Sequence, residues 1–349
     1  MENHGSITFK VDLISGYDIT IDKLSSYVNS LMSEIVVLVA SPTSYEIIGK
    51  KIRENIPVKD ISFAMVKGRA SLASAEDFAS KCKDDKRALI VGVGGGSVID
   101  FSKYVAWRCR APLTIIPTVL SSNALASPFS VLELEDKRIA TFRTKEPDLI
   151  VADFSILENQ PKRFVLSGLG DLLAKYTSIQ DYIYSSLIEK GVYNRVAVVL
   201  AESLLKVAID NATLIASSRR DGIELLLHLL ILDGYLMNLA ETTRIVAGCE
   251  HLIAYGIEKV SGKGLHGEQV AIGTLICSFL GNKDWATLKE LFSKIGLPTK
   301  ASQLGLSSEE MKKALIIAPE TRDWFTILGK KKLKEEIANT ILTELEITL

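Results

Sequence analysis

Between residues 35 and 153 the spacing of apolar positions keeps switching between two patterns. "IVVLVAS" (35–41) is an unbroken Val-rich run, the signature of a parallel strand covered on both faces. Similar runs at 61–66, 87–93, 112–119 and 147–153 predict further strands. Apolar residues three and four apart predict helices over 44–56, 74–85 and 97–110. Residues 129–142 read as a hairpin turning at Glu135 and Asp136. This βαβ alternation predicts an α/β N-terminal nucleotide-binding domain on a doubly wound, mostly parallel sheet. After Pro161 the helical spacing persists, as in 195–212 and 224–241, and predicts an all-α C-terminal domain. The boundary is placed at 1–159 and 160–349. The most apolar segment, 225–240, is short for a membrane span and contains His228 and Asp233, so a buried helix is expected.

The composition narrows the class. A chain of 349 residues fits about two domains. Hydrophobic residues at 47% and charged residues at 24% predict a packed core. A net charge of −1 argues against nucleic-acid binding, which calls for a basic excess. The run "KKKLKE" (330–335) is expected on a solvated helix face. Cys82, Cys109, Cys249 and Cys277 form no CxxC and read as reduced thiols of a cytoplasmic protein. "MENHGSITFK" lacks the pattern of a signal peptide.

Two stretches carry candidate chemistry. "VGVGGGSVIDFSK" (91–103) lies where a strand meets a helix. Its glycines allow close backbone approach, and the helix N-terminus suits a pyrophosphate; the alternative is a turn that only packs helix on strand. Ser97 and Asp100 are spaced as a capping box. The turn is not a P-loop, because no Gly-Lys-Ser/Thr follows. "VASPT", at the end of the 35–41 run, lacks the acid that would favour NAD, so NAD and NADP both stay open. In "HLIAYGIEKVSGKGLHGEQ" (251–269), His251 and His266 are either structural histidines or two ligands of a zinc site that needs one carboxylate more. Asp171, in "SGLGDLLAKYTS" (167–178), is a candidate for that carboxylate, with a helix N-cap as the competing reading. His228, on its apolar segment, reads as structural.

"GGGSVIDFSK", "IPTVLSSNALASP", "SGLGDLLAKYTS", "TRIVAGCEHL", "LHGEQVAIGT" and "APETRDWFTIL" resemble, in this order, the metal-dependent polyol dehydrogenases related to iron-containing alcohol dehydrogenases. Within them the resemblance is to the sn-glycerol-1-phosphate dehydrogenase branch, on the scaffold shared with dehydroquinate synthase. It covers roughly residues 35 to 330. The resemblance implies reduction of dihydroxyacetone phosphate, with the active site in a cleft between the domains. It implies Asp171, His251 and His266 as metal ligands, for zinc or alternatively iron or nickel. Gly94, Gly95, Gly96, Ser97 and Val98 would hold the pyrophosphate and ribose. Asp100 and Lys103 would lie on the nicotinamide side, and Thr118, Ser121 and Ser127 would line the cofactor. Asn123 and Tyr255 stand where family members carry Asp and His, and with Asp171 they are the candidate catalytic residues. Arg244 is a candidate counter-charge for a substrate phosphate, against an ordinary salt bridge. The implied partner is a small polyol or polyol phosphate, and the implied assembly a homo-oligomer. The competing activities are a dehydrogenase of unphosphorylated polyols, a sugar-phosphate cyclase that recycles NAD, and a non-catalytic paralogue.

Overall fold

The computed structural model describes residues 11–82, 88–136, 138–189 and 193–348. They fall into two compact units, Met1–Pro161 and Lys162–Leu349.

The first unit contains strands β1 (Asp12–Gly16), β2 (Ile35–Ala40), β3 (Asp60–Met65), β4 (Ala88–Gly94), β5 (Leu113–Pro117), β6 (Phe129–Glu133), β7 (Ile139–Arg143) and β8 (Leu149–Asp153). Six of them form one sheet in the order β1-β8-β5-β4-β2-β3, with every neighbouring pair parallel. β6 and β7 form a separate antiparallel ribbon, turning at Glu135 and Asp136 as expected. The helices are α1 (Thr20–Ser30), α2 (Pro42–Ser44), α3 (Lys50–Asn55), α4 (Leu72–Cys82), α5 (Gly96–Cys109) and α6 (Phe154–Leu157). Strand alternation sends Val36, Leu38 and Ala40 of β2 and Leu89, Val91 and Val93 of β4 to one face. There they pack with Leu24 and Val28 of α1 and with Ile48 and Ile52.

The parallel sheet agrees with the hydrophobic pattern, and the differences have local causes. β1 and α1 were not foreseen: β1 is a five-residue edge strand, half exposed, with no continuous apolar run. The 35–41 run is therefore the second strand in the chain. The helix expected over 44–56 is divided, with the π-turn Tyr45–Gly49 between α2 and α3. Residues 83–85 of the helix expected over 74–85, the start of the strand expected from 87 and the N-terminal decapeptide lie outside the described residues.

The second unit contains α7 (Lys162–Leu173), α8 (Lys175–Ile188), α9 (Arg195–Asp210), α10 (Ala212–Ala216), α11 (Arg220–Leu239), α12 (Cys249–Val260), α13 (His266–Leu280), α14 (Trp285–Ile295), α15 (Ser308–Ile317) and α16 (Glu335–Glu344). No strand occurs among its described residues. By length and composition α11 is the one described helix that could cross a membrane, but 61% of its apolar window is buried. It also contains Asp233, fully buried and paired with the fully buried Lys175 at 2.7 Å. That is the burial expected of a core helix. His228, however, faces solvent on α11 rather than filling the core. The lysine run 330–334 precedes α16 as exposed irregular chain instead of forming a helix face.

The helix contacts that matter for function run through glycine. A Cβ on Gly267 of α13 would lie 1.8 Å from the carbonyl oxygen of Ser167 on α7. One on Gly170 of α7 would lie 2.4 Å from the carbonyl oxygen of Gly267. The two backbones touch, so Asp171 and His266, each beside one of these glycines, are brought close.

Candidate metal centre and nucleotide turn

Asp171, His251 and His266 come from α7, α12 and α13 and converge, with one donor atom from each within 4.8 Å of the others. Asp171 Oδ1 is 3.4 Å from His251 Nε2 and 3.8 Å from His266 Nε2. Ligands about 2.1 Å from a central ion lie roughly 3.4 Å apart along a tetrahedral edge, so the spacing suits an ion between them better than direct pairing. One carboxylate and two imidazoles make up the donor set of a three-ligand catalytic zinc site, and also accept iron or nickel. Asp171 and His251 are buried, while the His266 side chain is 41% exposed and leaves the site open on one side. Asp171 lies in the last turn of α7, which rules out the N-cap reading.

Electrostatics agree with a cation-binding site. Burial disfavours an ionised Asp171, yet His251, His266 and Lys175 hold its carboxyl down to about 2. Burial likewise disfavours a charged His251, but Asp171 and Glu250 push it up to about 10.

Glu250 had no role in the sequence reading, and only its adjacency to His251 pointed to it. His251 Nδ1–H donates to Glu250 Oε1 at 2.9 Å, which directs Nε2 at Asp171. Glu250 Oε1 also accepts from the Gly248 N–H, and Oε2 accepts from Thr177 Oγ1 at 2.6 Å. A carboxylate behind a ligating histidine fixes its tautomer and raises its basicity. Glu250→Gln is therefore expected to weaken zinc binding roughly 10–100-fold. Competition with a chromogenic chelator measures this, and unchanged affinity would remove Glu250 from the site. Asp181, also unforeseen, accepts from the Cys249 N–H at 2.7 Å and the Ile327 N–H at 2.8 Å and so anchors the start of α12. Glu268 fastens the start of α13: it accepts from the Leu265 N–H at 2.7 Å and pairs with Arg163 of α7.

In the first unit, β4 ends in the glycine turn and α5 begins at Gly96. Gly94 has a φ of +154°, which side chains rarely adopt. Gly95, Gly96 and Ser97 are partly exposed, whereas Gly94 and Val98 are buried. The turn thus presents backbone N–H groups at the N-terminus of a 14-residue helix. The capping box does not form. Gly95 is the N-cap without a side-chain cap, and Ser97 is already inside the helix. Ser44, unforeseen, donates from Oγ to the Val93 carbonyl at 2.6 Å and supports the turn from the end of β2.

Lys103 and Asp100 are not free to face a nicotinamide. The Lys103 ammonium is fully buried and paired with Asp100 at 3.0 Å. It also donates to the carbonyls of Ala124 and Phe129 and to Ser127 Oγ, the last at 3.2 Å. Lys103 therefore anchors the 124–129 loop, and Ser127 is buried as part of that anchor. Thr118 is buried beside the turn, its N–H donating to the Gly94 carbonyl at 3.2 Å. Ser121 and Asn123 are half-buried, and Asn123 opens the 3₁₀ turn Asn123–Leu125.

Tyr255 is half-buried against the metal cluster, its ring centroid 6.2 Å from that of His251 and 6.4 Å from that of His266. Arg322 stacks on its other neighbourhood, 4.8 Å from the Tyr255 ring centre. Arg244 lies 4.8 Å over Trp324 and donates to the Ala247 and Phe325 carbonyls. These contacts make it a brace for the 324–325 segment rather than a surface salt bridge.

The family model for iron-containing alcohol dehydrogenases matches residues 18–161. The chain is 35% identical over 332 residues to a glycerol-1-phosphate dehydrogenase [NAD(P)+] of Sulfurisphaera tokodaii, covering 94% of each. It is 34% identical to the Staphylothermus marinus glycerol-1-phosphate dehydrogenase [NAD(P)+], covering 97% of each. Among solved structures it resembles a probable glycerol dehydrogenase from Sinorhizobium meliloti, with a TM-score of 0.76, 20% identity and coverage of 97% and 96%. The chain belongs to the glycerol-1-phosphate dehydrogenases, within the iron-containing alcohol dehydrogenases.

Proposed function

We propose that this protein reduces dihydroxyacetone phosphate to sn-glycerol 1-phosphate with NADH or NADPH. The observation that carries this reading is the convergence of Asp171, His251 and His266 at the spacing of ligands around one ion, in a chain similar to glycerol-1-phosphate dehydrogenases over nearly its whole length.

In this reading Asp171, His251 and His266 hold zinc, or alternatively iron or nickel, and Glu250 fixes the orientation of His251. When bound, the metal supplies Lewis acidity to a substrate carbonyl, and the nicotinamide supplies the hydride. The turn from Gly94 to Val98 receives the pyrophosphate on backbone N–H groups. Asn123 hydrogen-bonds the substrate without adding charge, and Tyr255 contributes a phenol where an imidazole would shuttle protons near neutral pH. Lys103 fixes the loop that carries Asn123. The free thiols of Cys109, Cys249 and Cys277 favour a reducing, cytoplasmic setting.

The test follows NADH and NADPH oxidation with dihydroxyacetone phosphate and with dihydroxyacetone, each with and without chelator. The expected result is chelator-sensitive turnover with kcat/KM strongly favouring the phosphorylated ketone. A preference for dihydroxyacetone would make the protein a dehydrogenase of free polyols. No net oxidation with any ketone, despite bound zinc and nucleotide, would overturn the catalytic reading.

A further inference from the structure

Lys175 and Asp233 form an ion pair with both side chains fully buried, the Lys175 ammonium 2.7 Å from Asp233 Oδ1. Stability alone does not account for such a pair. Desolvating two charges costs about as much as their attraction returns, and well-packed apolar side chains of similar volume serve a fold as well. The other large side chains that α11 buries are apolar, among them Leu226, Leu227, Leu230 and Met237. Asp233 is the exception, and the surroundings of its partner explain it.

Lys175 opens α8, two residues past the end of α7. Its ammonium also donates to the Leu172 carbonyl at 3.3 Å. That carbonyl is one of the last of α7, which the helix itself leaves without a donor. Asp171 stands beside it in the last turn of α7, where burial and the negative end of the helix dipole both oppose an ionised carboxylate. The Lys175 charge is among those that hold the Asp171 carboxyl low. Two residues further on, Thr177 donates to Glu250 Oε2 at 2.6 Å, and Glu250 orients His251. The first turn of α8 therefore bears on two of the three ligands, on Asp171 through Lys175 and on His251 through Thr177.

We infer that Lys175 and Asp233 are positioning residues of the metal centre, a pair that pins the α7–α8 junction to α11 and so sets where Asp171 and Glu250 stand. The inference rests on the metal reading of Asp171, His251 and His266 given above. Neither member of the pair is a ligand; both act through the backbone that carries one.

The experiment compares full-length proteins by thermal melting without metal, by zinc titration against a chromogenic chelator, and by the visible spectrum of cobalt bound in place of zinc. Lys175→Met with Asp233→Val replaces the pair by apolar side chains. Its melting temperature should stay close to wild type. Its zinc dissociation constant should rise roughly ten-fold or more, with an altered cobalt band. Asp233→Asn should do the reverse. The amide oxygen still accepts from Lys175 and keeps the junction in place, but the buried ammonium loses its counter-charge, so the melting temperature falls. Zinc affinity and the cobalt band stay those of wild type. A folded double variant with wild-type zinc affinity overturns the proposal. So does an Asp233→Asn protein that loses zinc as the double variant does, or a double variant that fails to fold, which would make the pair a requirement of the fold alone. A wild-type chain that binds neither zinc nor cobalt overturns the metal reading itself, and this inference with it.

Discussion

His251→Ala is expected to abolish stoichiometric zinc and to lower turnover by about 1,000-fold or more. The reason is the ligand count. Two protein ligands remain, below the three that define a catalytic zinc site. Lewis acidity at a carbonyl contributes several kcal/mol, and about 4 kcal/mol corresponds to roughly three orders of magnitude in rate. The loss extends past the one imidazole, because Glu250 keeps its Gly248 and Thr177 partners but no longer faces His251. Proton release gives a second readout. In the metal-free chain Asp171 and Glu250 push His251 up to about 10, so at neutral pH a metal must displace its proton. Zinc binding by the metal-free wild type should therefore release a proton and tighten as pH rises toward 10, whereas the alanine variant shows neither effect. In that metal-free state the raised pKa also stabilises the fold, fully below the ordinary value of 6.5 and progressively less as pH rises through about 10. Elemental analysis measures the zinc, and calorimetry in buffers of differing ionisation enthalpy counts the protons. Full zinc content in the folded variant would show that His251 is not a ligand.

The parts of this molecule legible in the sequence are those where one residue type has one use. Val-rich runs such as 35–41 became buried parallel strands because little else accommodates uninterrupted β-branched residues. The same logic failed for β1, which earns its place through pairing with β8 and not through an apolar run. His251 and His266 were visible because the chain has only four histidines, but their convergence with Asp171 depends on three helices that no local spacing specifies. Lys103 shows the opposite error. A lysine two turns into a helix behind a glycine turn was read toward a ligand, yet tertiary structure encloses its ammonium in protein oxygens. Glu250 was hidden because an acid in the first turn of a helix has an ordinary explanation in the helix dipole. Only the fold shows that it also grips the histidine.

The glycines that close the site make the second large prediction. Gly267→Ala should cost roughly 3 kcal/mol, toward the upper end for overpacking, and lower the melting temperature by about 4 °C. The added methyl would sit 1.8 Å from the Ser167 carbonyl oxygen, with the Ser167 carbonyl carbon at 2.5 Å and its Cα at 2.9 Å. All three are backbone atoms, so no side-chain rotation relieves the clash and α13 must move from α7. That movement separates His266, immediately before Gly267, from Asp171, which already lies 3.8 Å away. Stretching this edge takes it past what one ion spans, so zinc affinity should fall together with stability. Ser167→Ala separates contact from crowding. It removes the hydroxyl that accepts the Gly267 N–H at 3.1 Å but leaves the backbone approach unchanged. Its cost should be about 1 kcal/mol, with zinc retained. Thermal melts and zinc titrations on the two variants decide the matter. A Gly267→Ala protein with wild-type melting and full zinc affinity would mean that the α7–α13 contact does not set the geometry of the metal site.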